Sequence, residues 1–101
     1  MLKLIAPQES FANVIRFQPK QVIISERVHL LLSKEEIDRG LARHLAGEWG
    51  DASSGDHRAA ERAFLNNRQI FSMYFSRSGL EFWIITKADR KTTVMLMPDE
   101  L

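Results

Sequence analysis

An α+β fold is what this sequence predicts, with two or three short helices packed on an antiparallel sheet that ends in a three-stranded meander. Three observations carry that expectation. Three β-rich runs close the chain, Arg68–Ser76, Leu80–Thr86 and Thr92–Met97, separated by the turn residues Arg77-Ser78-Gly79 and Ala88-Asp89-Arg90. The middle of the chain carries two helix starts, each with a side-chain cap. The 101 residues match one ordinary domain, long enough to bury roughly 65% of the unfolded surface around one core. A single domain over residues 1–101 is expected, with residues 1–13 as a loosely ordered N-terminal arm.

Val14 to Ile24 reads as a broken strand: Val14-Ile15-Arg16-Phe17, an interruption at Pro19-Lys20, then Val22-Ile23-Ile24. Pro19 marks a bend or an edge. Ser25 suits the N-cap of a short helix from Glu26 to Leu32, with Val28, Leu31 and Leu32 on one side, although Val28 to Leu32 also fits an extension of the strand. Ser33-Lys34-Glu35-Glu36 is a capping box, in which hydroxyl and carboxylate each satisfy an orphan N–H. The helix it opens runs from Lys34 to Ala46, striped by Ile37, Leu41 and Leu45, with Gly47 as a left-handed stop. Gly40 inside it costs about 1 kcal/mol relative to alanine and points to a close contact.

Glu48 to Gly55 is a turn-rich loop around one large aromatic, Trp49. Ser53 and Asp56 repeat the capping logic for a helix that ends at Leu65, with Ala59, Ala60, Ala63 and Phe64 as its apolar positions. Asn66-Asn67 stops it, since asparagine tolerates left-handed backbone. In the meander, Leu80-Glu81-Phe82-Trp83-Ile84-Ile85 is apolar on both faces, and Pro98 ends the last strand.

Composition removes whole classes of chemistry. The chain has no cysteine, so disulfides, thiolate zinc sites, iron–sulfur clusters and cysteine nucleophiles are excluded. Fourteen Lys and Arg against thirteen Asp and Glu give a net charge of +1, too little for a global field that attracts nucleic acid. The beginning lacks the continuous apolar run of a signal peptide, and no stretch approaches ~18 apolar residues, so a cytoplasmic protein is expected. Glycine-rich phosphate or dinucleotide turns are missing, and the spacing of His29, His44 and His57 matches no usual metal pattern, so neither cofactor nor metal is expected.

Two polar clusters remain. Arg43-His44-Leu45-Ala46-Gly47-Glu48-Trp49-Gly50-Asp51 gathers a base, a cation, two carboxylates and an aromatic at one helix terminus. There His44 serves either as a general base or as a capping cation, and cations near helix C-termini need no catalytic role. Lys87, Asp89, Arg90 and Lys91 sit at a hairpin tip that suits phosphate or an acidic protein surface, and equally suits plain solvation. Trp49 and Trp83 read as core or lid residues before stacking platforms, because no dense Lys/Arg array surrounds them. Trp49, between Gly47 and Gly50, is expected to fold back onto the sheet.

Leu41-Ala42-Arg43-His44-Leu45-Ala46-Gly47-Glu48-Trp49-Gly50-Asp51, together with Phe82-Trp83-Ile84-Ile85-Thr86-Lys87-Ala88-Asp89-Arg90 and Leu96-Met97-Pro98-Asp99-Glu100, resembles a family of short bacterial proteins labelled plasmid-related, or type I restriction enzyme M subunits. The pattern covers about two-thirds of the chain, from Ile37 onward. The resemblance implies cargo of plasmids and integrated elements and brings no established activity. The methyltransferase label fails physically: a methyl-donor site needs a doubly wound sheet with a glycine-rich first turn, and this chain has neither the length nor the motif. This chain departs from the family pattern at Ala60, Asn66-Asn67 and Lys87, so a catalytic role at those positions is not implied.

The leading expectation is a non-enzymatic accessory module that binds a protein or nucleic-acid partner through Arg43, His44, Trp49, Asp89 and Arg90. The rival is a small hydrolase, such as a ribonuclease-like toxin, with His44 as base, Glu48 or Asp51 orienting it and Arg43 or Arg90 holding phosphate. A homodimer through the meander is a third: Phe71, Met73 and Phe75 line one face of a strand, Ile70 and Tyr74 the other, and two apolar faces need two covers. The edge for that pairing is expected at Thr92–Met97.

Overall fold

The computed structural model describes residues 15–101. The expected N-terminal arm, residues 1–13, and Val14 of the broken strand lie outside them. Strand β1 (Gln21–Ile24) leads into helix α1 (Glu26–Leu31), α2 (Lys34–Leu45) and α3 (Ser54–Leu65). Strands β2 (Ile70–Phe75), β3 (Glu81–Thr86) and β4 (Thr92–Leu96) follow, then a single 3₁₀ turn (Pro98–Glu100). The fold is α+β, and its last three strands form the expected antiparallel meander.

Each helix begins where a serine caps it. Ser25, Ser33 and Ser53 accept from the N–H groups of Val28, Glu36 and Asp56, and at Ser33 the glutamate returns the bond, so the capping box is complete. Gly47 (φ 81°) and Asn67 (φ 56°) take the left-handed conformation expected after α2 and α3.

The strand order is β1-β4-β3-β2, and β1 joins β4 in parallel, with Gln21 opposite Thr92 and Ile24 opposite Met95. This makes the sheet mixed where an antiparallel one was expected, and two further expectations are corrected. The broken strand keeps only its second half, because Ile15–Phe17 leaves the sheet, with the Arg16 N–H bonded to the Leu45 carbonyl at the end of α2. The Thr92–Met97 run is not an edge either: β4 has strands on both sides, and among the described strands the edges are β1 and β2.

The three described helices pack on one face of the sheet. Val28 and Leu32 from the α1 region and Ile37 from α2 meet Tyr74, Phe82, Ile84 and Met95 in the main core. Trp49, Ala60 of α3 and Ile70 form a second cluster, with Phe17 and Phe64 against it. Gly40 sets the spacing of α2 over β3, because a Cβ there would stand 2.9 Å from the Phe82 ring. The close contact expected from this glycine is therefore a helix on a sheet.

Candidate functional site

The last turn of α2 carries Arg43 and His44, and the two point to different environments. His44 is fully buried. Its Nδ1 lies 2.6 Å from the Ser72 hydroxyl and its Nε2 2.8 Å from that of Thr86. Thr86 continues the chain to Thr93 at 2.7 Å, so one imidazole and three hydroxyls from β2, β3 and β4 satisfy one another inside the core. Phe17 and Trp49 close the ring edge-on, with centroids at 5.7 and 5.5 Å. Burial, with a smaller push from the Arg90 charge, lowers the His44 pKa from 6.5 to about 3, so the ring is neutral at physiological pH.

Arg43 turns outward and holds two carboxylates, Glu48 at 2.9 Å and Asp51 at 3.0 Å, with its guanidinium 4.8 Å from the centre of the Tyr74 ring. Burial opposes its charge, but these two bonds outweigh it and raise its pKa. Asp51 is also committed: its second oxygen accepts the Phe75 N–H at 3.0 Å. Partial burial works to raise the Asp51 pKa, while Arg43 and that N–H together pull it below the ordinary carboxylate value. The carboxylates proposed to orient His44 thus go to Arg43, and no carboxylate hydrogen-bonds the imidazole among the described residues.

Trp49 is 4% exposed and folded onto the sheet, as its flanking glycines suggested. Its Nε1 donates to Glu61 at 2.9 Å, and Glu61 accepts both guanidinium nitrogens of Arg16 at 2.8 Å. Those donors, Arg16 first, hold the Glu61 carboxyl down at about 2. At the other cluster, Arg90 adopts φ 66° and aims its guanidinium at backbone carbonyls. One nitrogen reaches Arg68 O at 2.7 Å, the other Phe64 O at 3.0 Å and Ala63 O at 3.2 Å, so Arg90 closes the C-terminus of α3. Asp89 accepts the Lys91 N–H at 3.0 Å within the turn.

The two clusters do meet, around Phe64. Arg16 and Arg90 lie 4.3 and 5.5 Å from the centre of its ring, while Phe17 and Trp49 pack between it and His44. Arg43, His44, Glu48, Trp49, Asp51 and Arg90 all have side-chain polar atoms engaged within the fold. Among the described residues no group of three His, Asp or Glu side chains gathers as a metal site.

Sequence reasoning missed the partners: Arg16, Glu61, Ser72, Thr86 and Thr93. A lone hydroxyl in a strand gives no local sign that it will face a histidine from a distant helix. What the alternation at residues 70–75 did signal is a second apolar face. On the side away from the helices, Ile23, Val94, Ile85 and Phe71 form one row across all four strands, and Leu96, Trp83 and Met73 a second. Ile23, Phe71 and Phe75 are 44, 43 and 48% exposed. Phe71 meets Trp83 edge-on at 4.9 Å. Among the described strands Glu81 is the one ionisable residue on this face, and its carboxylate accepts the Trp83 Nε1–H at 2.7 Å.

Comparison with protein-family models, with curated proteins and with solved structures finds no match to this chain.

Proposed function

We propose that this chain is a non-enzymatic interaction module whose docking surface is the face of its sheet away from the described helices. In line with its resemblance to plasmid-related proteins, we read it as an accessory protein of mobile DNA. The observation that carries the proposal is the apolar face around Phe71, Phe75 and Trp83, which no described helix covers. A contiguous aromatic and aliphatic patch of this kind marks a binding surface. Its partner is a protein with an apolar, uncharged surface: the strands put no cation on this face to meet phosphates, and their single carboxylate is already bonded to Trp83.

The hydrolytic reading with His44 as base gains no support from the geometry. A base must reach the proton it removes, and both nitrogens of this buried ring are held by hydroxyls.

The test uses the whole chain immobilised beside a Phe71→Glu variant of matching circular dichroism. A protein captured by the former is identified, purified and titrated against both. At least tenfold weaker binding to Phe71→Glu is expected. Equal affinity for both chains, or no specific partner in repeated captures, would overturn the reading. Incubating RNA and DNA with the wild type and a His44→Gln variant closes the alternative: cleavage by the first and not the second would restore the enzyme.

A further inference from the structure

The two edges of the sheet are finished differently. On β2 the chain covers its own edge: Gly50 forms a parallel bridge to Met73, the Asp51 N–H donates to the Met73 carbonyl at 2.7 Å, and the Asp51 carboxylate takes the Phe75 N–H at 3.0 Å. Such covering is how a strand edge is kept from pairing with another chain. The β1 edge has no such cover among the described residues. Its bonds to β4 come from alternate residues, since the N–H groups of Gln21 and Ser25 donate to Lys91 and Met95. The backbone N–H and C=O of Val22 and Ile24 therefore point away from the sheet. The strand Gln21-Val22-Ile23-Ile24 contains no charge and no proline, the residues that usually guard an edge.

From this open edge we infer that β1 pairs antiparallel with β1 of a second copy of the chain, joining two four-stranded sheets into one. The occupant follows from self-complementarity. With a two-fold axis at Ile23, Val22 of each copy lies opposite Ile24 of the other, and both pairs exchange N–H and C=O bonds, giving four hydrogen bonds. An uncharged strand meets its own copy without like-charge repulsion. On the helix-covered side, a groove of about 380 Å³ lined by Ile24, His29, Leu32, Lys34, Ile37 and Asp38 opens beside the edge, where the Val22 side chain of the second copy would enter. The two charges in that lining satisfy each other, Lys34 to Asp38 at 2.8 Å, so the groove receives an apolar group. On the other face Ile23, 44% exposed, meets its counterpart at the axis and extends the row Ile23–Val94–Ile85–Phe71 through both molecules.

The proposal stands independently of the sheet-face reading, because it uses backbone groups at the edge. Sedimentation equilibrium of the full chain from about 1 to 500 μM, paired with amide hydrogen exchange, tests it. The expected result is a dimer at the upper concentrations, with the Val22 and Ile24 amides gaining at least tenfold protection over dilute protein. Val22→Pro deletes an outward N–H and leaves the bonds to β4 intact, and Val22→Lys places a charge on the edge. Both variants are expected to stay monomeric with an unchanged circular dichroism spectrum, while Phe71→Glu still dimerises. A monomer throughout the range overturns the inference. So does a dimer that survives Val22→Pro, or one lost in Phe71→Glu alone, which would assign self-association to the sheet face.

Discussion

The imidazole of His44 and the hydroxyl of Ser72 meet at 2.6 Å in the middle of the core, with the Thr86 hydroxyl on the opposite ring nitrogen at 2.8 Å. A histidine held neutral in this way links folding to pH. Unfolded, it takes up a proton below 6.5; folded, it resists until about pH 3. Its folded pKa is depressed, so its contribution is complete above 6.5 and declines as pH falls toward 3, at up to ~1.4 kcal/mol per unit. Between pH 7 and 5 the wild type is expected to lose about 2 kcal/mol from this group. His44→Gln keeps a polar partner for both hydroxyls and removes the titration. Urea midpoints across that range should fall clearly for the wild type and at less than half that slope for the variant.

Trp49 fills the space between α3 and the sheet, so Trp49→Ala is expected to cost about 3–5 kcal/mol, a large part of a typical domain's stability. Denaturant unfolding followed by circular dichroism measures it. A midpoint within error of the wild type would mean that the indole is not buried in solution.

Gly50 approaches β2 so closely that a Cβ would stand 2.1 Å from the Met73 carbonyl oxygen, at φ 95°. Gly50→Ala should therefore destabilise by about 3 kcal/mol or more, combining backbone strain with displacement of the loop. It should also uncover the β2 edge. Thermal melts at two concentrations would show a lower midpoint and new concentration-dependent aggregation, and an unchanged melt would contradict the bridge.

Arg90 combines two opposed effects in one residue: a left-handed backbone that favours glycine, and a guanidinium that caps α3. Arg90→Ala loses the cap and keeps the strain, with an expected cost of about 2 kcal/mol. Arg90→Gly loses the same bonds but relieves the backbone, so it should be about 1 kcal/mol less damaging. Equal losses in the two variants would show that φ at this turn carries no cost.

Much of this architecture is legible in short windows of sequence. Ser33 and Glu36 announce α2, Asn66-Asn67 ends α3, and alternation in Ile70–Phe75 gives the strand and both its faces, because each depends on neighbours within a few residues. The parallel pairing of β1 is not legible in this way: nothing local in Gln21–Ile24 says that its partner is Thr92–Met95. The candidate site fared likewise. Arg43, His44 and Asp51 look like an acid–base group along the chain, yet His44 enters the core and Asp51 stays at the rim, since α2 ends between them. Exposed Phe71 could be anticipated; the Arg16–Glu61–Trp49 link, spanning 45 positions, could not.

The pairing of β1 with β4 also dictates an order of events during synthesis. The meander and the helices preceding it assemble from near neighbours, whereas β1 must wait roughly 70 residues for the strand beside which it lies. On the ribosome, the first described strand is thus the last to find its place in the sheet, and until β4 emerges its apolar residues have no described strand to pair with. A chain stopped before Thr92 would leave β1 with no strand to join, so loss of the final ten residues should undo the beginning of the fold as well as its end.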